Sequence, residues 1–266
     1  MTEHNRLISL AAGTLSDFTP VQTVHAAAKA GFGGCGIWFD AETWTDQTAK
    51  NVRQAFDETG LVPLDIEVIW IQPGDEDPDH DRQLAAGGEI GAKNVLIVSS
   101  DPNADNTKRR FEILCNKAEK AGIYANLEFL PITEVKNLAD GLDIVNSVAH
   151  PNGKLLIDPT HLHRTGGHPN DLKSLSPDLF TYAQYCDGVD KLAEDTYDAI
   201  LADAVDGRLL PGDGAFPLSA LIEVLAPDLP ISVELRSKAL RDNYTDAAER
   251  AQVVFDATMR TLNTHS

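Results

Sequence analysis

Short apolar runs alternate with longer amphipathic stretches along the whole chain, and this alternation is its strongest pattern. Apolar runs at 7–15, 33–39 (GGCGIWF), 64–71 (LDIEVIWI), 94–98 (NVLIV), 123–129 (IYANLEF), 154–158, 179–186 (LFTYAQYC) and 231–235 (ISVEL) predict eight strands. Between them the spacing predicts helices over 20–31, 45–60, 82–92, 106–122, 133–148, 195–205 and 217–225, with a last amphipathic helix over 245–262. Eight strands, each followed by helix, predict an α/β fold, a closed parallel (β/α)8 TIM barrel. An open doubly wound sheet is the competing architecture. It usually carries a glycine-rich phosphate turn after its first strand, and AAGTLSDF lacks that spacing. No linker, internal repeat or low-complexity stretch interrupts the alternation, so residues 1–266 read as one domain.

Composition narrows the function classes. The 266 residues match the roughly 250 of a single barrel. With 41 acidic against 22 basic side chains the formal charge is −19, which repels phosphate backbones and anionic membrane surfaces. The expectation is no nucleic acid and no membrane. Cys35, Cys115 and Cys186 lack CxxC spacing, which suits a reducing compartment and argues against a disulfide framework. MTEHNRLISL lacks the basic start and long apolar core of a signal peptide, and no apolar run approaches ~18 residues, so the expected location is cytoplasmic. A homo-oligomer is compatible with all of this.

In a barrel of this kind the active site lies at the carboxyl ends of the strands. Strand five ends in Glu128, strand six in Asp158, strand seven in Gln184 with Asp187 just beyond, and strand eight in Glu234. Strands one to four offer no such series and instead present Trp38, Phe39 and Trp70, an apolar wall for a substrate. The stretch IDPTHLHRTGG is either a metal or acid/base site or a solvated loop whose Asp158 caps the next helix. Packed together without a cation, three carboxylates repel and raise one another's pKa values. A divalent metal resolves that conflict. Three carboxylates with one amide oxygen form a hard, oxygen-only set, which favours Mn²⁺ or Mg²⁺ over zinc.

Weaker candidates accompany these. Arg236 points to the same side of its strand as Glu234 and either binds a polar or anionic substrate group or pairs with a nearby acid. Arg164 and His168 belong to the loop after strand six, and His25 reads as a helix-surface residue. PGDG at 211–214 reads as a turn, and Cys186 as packing that faces away from Gln184.

LEFLP around Glu128, IDPTHLHRTG around Asp158, AQYCDG around Gln184, RLLPGDG around Gly212 and SVELRS around Glu234 resemble, in order and spacing, the xylose isomerase-like TIM-barrel superfamily. That group holds sugar and sugar-phosphate isomerases and epimerases, inosose dehydratases and ketose epimerases. The resemblance implies that Glu128, Asp158 and Glu234 are metal ligands and that His161 touches a substrate hydroxyl. Gln184 stands where many members place a histidine ligand, so either its amide oxygen or a water is implied there. Glu134 has the offset of a second glutamate in the ketose epimerases, or is a first-turn helix acid, and CDGVDK lacks their arginine.

The implied activity is isomerisation or epimerisation of a small sugar or hydroxy-carbonyl compound through an enediolate. Glu234 removes a proton and Glu128 returns it. The alternative is a lyase or dehydratase on a keto sugar, inosose or oxidised glycoside, with His161 or His163 protonating the leaving group. An endonuclease relative needs a basic groove, against the charge of −19. A catalytically silent barrel that only binds a metabolite is the remaining class.

Overall fold

Strand and helix alternate from Ile8 to Asn263 in the structure, a computed structural model that describes residues 6–263. The polar lead at 1–5 lies outside the described residues. The strands are β1 (Ile8–Leu10), β2 (Gly34–Trp38), β3 (Val62–Ile71), β4 (Asn94–Ser99), β5 (Tyr124–Glu128), β6 (Gly153–Leu156), β7 (Ala183–Tyr185) and β8 (Ile231–Val233). The helices are α1 (Pro20–Ala30), α2 (Asp46–Thr59), α3 (Pro78–Ile90), α4 (Ala104–Ala121), α5 (Leu138–Val148), α6 (Pro159–Arg164), α7 (Tyr197–Asp206), α8 (Leu218–Val224), α9 (Lys238–Asn243) and α10 (Ala247–Asn263).

All the strands pair in parallel in the order β6-β5-β4-β3-β2-β1-β8-β7. A 2.8 Å bond from Gln184 N–H to Ile157 O spans the remaining gap between β6 and β7, so the sheet nearly closes into the expected (β/α)8 barrel. The main core fills the layer between sheet and helices, with Ile37, Ile66, Val95 and Leu127 fully buried there. A smaller cluster of Leu64, Leu96, Val98, Leu156 and Tyr182 is separate from it. No helix among the described residues is long and apolar enough to cross a membrane.

Local chemistry sets the helix ends. Thr19 and Gln22 form a reciprocal cap on α1, with Pro20 in its first turn, and Thr45 with Thr48 does the same for α2. Gly31, at φ 100°, stops α1 in a left-handed conformation that costs any other residue. Several boundaries differ from the sequence expectation. The first strand ends at Leu10 because residues 12–15 turn as a 3₁₀ segment, tied down by Thr14 Oγ1, which donates to Val233 O and accepts from Leu235 N–H. Strand seven shrinks to three residues because Pro177 starts a 3₁₀ turn ahead of it. α5 begins at Leu138, where the Asn137 side chain accepts two N–H bonds. α9 was not foreseen.

β3 is the longest strand and carries extra residues relative to both neighbours. Its register shifts against β2 between Cys35 and Gly36, and against β4 between Ile66 and Ile69. The middle of β3 therefore stands level with the end of β2, Glu67 beside Trp38.

The PGDG turn at 211–214 is organised by one buried carboxylate. Asp187 accepts from the N–H groups of Gly188, Gly212, Gly214 and Phe216 at 2.9–3.1 Å. Any side chain at Gly214 meets Asp187 and Gly188 O, so the loop wraps the carboxylate too closely for a Cβ. Asp187→Ala is expected to lower the unfolding free energy by about 3 kcal/mol in chemical denaturation, since four donors lose a charged acceptor. A loss below about 1 kcal/mol refutes this role.

Candidate active site

Glu128 closes β5, Asp158 follows β6, Gln184 sits in β7 and Glu234 directly follows β8, and all four are buried at 0–6% exposure. Asp158 serves two ends at once. Its Oδ1 caps α6, accepting from Thr160 N–H at 2.6 Å, while its Oδ2 accepts from Arg208 at 2.6 Å. The capping contact expected of this residue is present, but in a buried position rather than in a solvated loop.

Arg208 organises the carboxylates. Its Nη1 lies 2.6 Å from Asp158 Oδ2 and 2.7 Å from Glu234 Oε2, and its Nε donates to Ala204 O in the last turns of α7. Sequence reading quoted RLLPGDG but passed over its arginine. The available signal was charge balance, because buried acids at several strand ends require a cation from somewhere.

Burial and the charges of Asp158 and Glu234 push Glu128 well above the usual carboxylate range. Burial also raises Glu234, although Arg208 pulls against it. Asp158 is held low: burial works against its charge, and Arg208, His161 and the Thr160 N–H outweigh burial. Burial lowers His161 to about 4, so its ring is neutral near pH 7. Its Nε2 is 3.8 Å from Glu128 Oε1, and its Nδ1 has no partner among the described residues.

The donor set fits a cation. Glu128, Asp158 and His161 offer ligand atoms that all lie within 4.8 Å of one another. The Gln184 amide end stands 2.6 Å from Asp158 Oδ2 and 2.9 Å from Glu128 Oε1. With the NH2 turned inward it donates to both carboxylates; with the oxygen inward, three oxygens crowd together without a proton between them. Such crowding is what a divalent ion compensates, since neighbouring ligands at ~2.1 Å from an octahedral ion stand about 3 Å apart. Glu128, Asp158 and Gln184 are thus brought together. Glu234 reaches Asp158 through Arg208, and His161 takes a place in the tight group that the sequence reading had given to substrate contact alone.

Beside this group lies a cavity of about 350 Å³, whose lining includes Glu128, His161, Glu234, Trp38, Trp70 and Arg236. Gly13 in the 3₁₀ segment leaves room for the glutamate, since a Cβ there stands 2.5 Å from Glu234 Oε1. The expectation that strands one to four supply only an apolar wall is corrected by β3. Glu67 lines the same cavity and Asp65 stands two residues before it in β3, both buried, with both Asp65 oxygens and Glu67 Oε1 lacking a hydrogen-bond partner among the described residues. Burial, reinforced by its neighbour's charge, pushes Glu67 well above the usual range, and burial raises Asp65 to about 6. Their spacing of two within LDIEVIWI was a readable signal, but strand-end reading excluded it because β3 overshoots its neighbours.

Other candidates fall outside the cavity. Arg164 pairs with Asp203 at 2.8 Å, His163 bonds Asp190 O and packs on Phe216, and His168 caps a 3₁₀ turn. Glu134 is exposed beside Lys136. Cys186 does not face away: its Sγ lies 3.1 Å from Thr160 Oγ1 and 4.0 Å from Asp158 Oδ1.

A family model described as xylose isomerase-like TIM barrel matches residues 24–254. No curated protein sequence matches the chain. Among solved structures, a fusion protein of a xylose isomerase-like TIM barrel and 4-hydroxyphenylpyruvate dioxygenase aligns with TM-score 0.84 and 19% identity over 98% of this chain, which spans 43% of that protein. The IOLI protein with a bound zinc atom aligns with TM-score 0.82 and 19% identity, covering 98% of this chain and 99% of that one. D-psicose 3-epimerase, solved in the presence of D-fructose, gives 0.71 and 14%, covering 97% and 99%. At these identities the likeness is one of fold.

Arg208→Met is expected to lower the unfolding free energy by about 3–5 kcal/mol, because it leaves Asp158 and Glu234 buried without their cation. Urea titration of the variant measures this, and a change under about 1 kcal/mol contradicts the assignment.

Proposed function

The chain belongs to the xylose isomerase-like TIM-barrel family, and from that premise we propose that it is a divalent-metal-dependent isomerase or epimerase of a small sugar or related hydroxy-carbonyl compound. The observation that carries this reading is the pair of buried glutamates, Glu128 on β5 and Glu234 just after β8, lining one cavity with His161 beside the Glu128–Asp158–His161 group. Glu128, Asp158, Gln184 and Glu234 would hold the ion, with His161 of the close group as a further ligand, and the oxygen-rich set favours Mn²⁺ or Mg²⁺. When bound, the metal supplies Lewis-acid polarisation of a substrate carbonyl.

The chain's own residues do the rest. Glu234 takes the proton from the carbon next to the carbonyl, and Glu128 returns one. Return to the opposite face of the same carbon is epimerisation. Return to the former carbonyl carbon, with the hydroxyl proton moving to the other oxygen, is aldose–ketose isomerisation. The neutral His161 ring orients a hydroxyl, and Trp38 and Trp70 give the cavity its apolar surface. A lyase reading draws on a specific feature, Glu67 at the cavity wall, since burial pushes its carboxyl toward the protonated form and a protonated carboxyl is a donor for a departing hydroxyl.

Two measurements test the proposal. The purified protein is expected to carry about one divalent ion per chain, and Asp158→Asn to lose most of it while circular dichroism stays native; unchanged metal content in that variant rejects the ligand set. For any keto sugar that the wild type exchanges with solvent, Glu234→Gln is expected to slow deuterium entry by about 10²-fold or more. Exchange at the wild-type rate assigns the base elsewhere, and a product lighter by one water selects the lyase.

A further inference from the structure

The cavity holds two arginines, and they differ in how they are satisfied. Arg208 spends its charge on Asp158 and Glu234. Arg236 makes no ion pair or side-chain hydrogen bond to any described residue, and its Nε is buried without a partner. In a chain of 41 acidic and 22 basic side chains, an arginine left unpaired beside a cluster of acids is unexpected on charge balance alone.

Three features hold it unpaired. The Trp38 ring lies under the guanidinium, 5.6 Å from ring centroid to Cζ, and both side chains line the cavity. The nearest carboxylate in sequence, Glu234, is turned to Arg208 at 2.7 Å. Glu67, which pairs in register with Trp38 and lines the same cavity, stands beyond ion-pair distance of the guanidinium.

We propose that Arg236, backed by Trp38, is the anchor for a carboxylate on the substrate, so that the cavity takes a hydroxy-carbonyl compound bearing one carboxylate in preference to a neutral sugar. This rests on the preceding reading of the site as the place where substrate binds. A guanidinium offers the planar fork that a carboxylate accepts bidentately, and burial against an indole strengthens the pair. A single guanidinium balances a single negative charge. A dianionic phosphate in the same place would face Glu67, Glu128 and Glu234 with only half its charge matched.

The matched probes are D-gluconate and D-sorbitol, one carbon skeleton differing only in a carboxylate at C1, with sorbitol 6-phosphate as the phosphate arm. Titration calorimetry on the purified protein is expected to give gluconate an affinity roughly 10- to 100-fold above both others. That preference should vanish in Arg236→Met and in Arg236→Gln, which leave no buried partner unsatisfied and are expected to fold. It should persist in Glu134→Gln, which changes an exposed carboxylate outside the cavity. Equal affinity for gluconate and sorbitol, a preference for the phosphate, a preference retained without Arg236, or one lost in Glu134→Gln each overturns the proposal. Elemental analysis in parallel separates the two readings. Protein without bound metal that still selects gluconate refutes the metal assignment and leaves the carboxylate anchor standing.

Discussion

Five carboxyl groups crowd the mouth of this barrel, and burying negative charge is among the costliest things a protein does. Asp65, Glu67, Glu128, Asp158 and Glu234 are all nearly solvent-free, and each is stabilised differently. Asp158 and Glu234 share the Arg208 guanidinium. Burial pushes Asp65 and Glu67 upward, toward protonation. Glu128 has no cation of its own, and burial with the neighbouring charges drives it toward the neutral acid. The chemistry of the site follows from this division. One carboxylate is held firmly ionised, one pair is pushed toward protonation, and Glu128 is left able either to take a proton or to accept a metal.

The surrounding structure serves to keep these groups apart and in place. Gly13 leaves room for Glu234, and Thr14 ties the same segment to β8 through two hydrogen bonds. Asp187 folds the glycine-rich loop that follows α7. Arg164 and Asp203 pin α6 to α7, the helix whose end positions Arg208. None of these residues reaches the cavity centre. Their role is to set the position of charges whose interaction changes steeply with distance in a dry interior.

Much of the fold was legible in one dimension. Strands such as 94–98 and 123–129 appear within a residue or two of where apolar runs predicted them, because a strand buried on both faces must be continuously apolar. Boundaries failed where side chains compete with the sheet, at the Thr14-anchored turn and at Pro177. The acids at the ends of β5 to β8 were readable because a carboxylate closing an apolar run is out of place unless it does something. Arg208 and Glu67 were not. Arg208 lies far from its partners in sequence, and Glu67 sits inside a strand rather than at its end.

By itself the sequence determined the alternation, the barrel, and the register in which Glu128, Asp158, Gln184 and Glu234 face one rim. These follow from local periodicity, which every strand carries in its own residues. Only the tertiary structure decided how the charges pair. That Arg208 bridges Asp158 and Glu234, that Glu67 reaches the same cavity, and that Arg236 lies over Trp38 without an ion pair depend on contacts between distant segments and on the offset of β3. Charge pairing in a buried site is settled by separations of a few ångströms. No spacing along the chain encodes them.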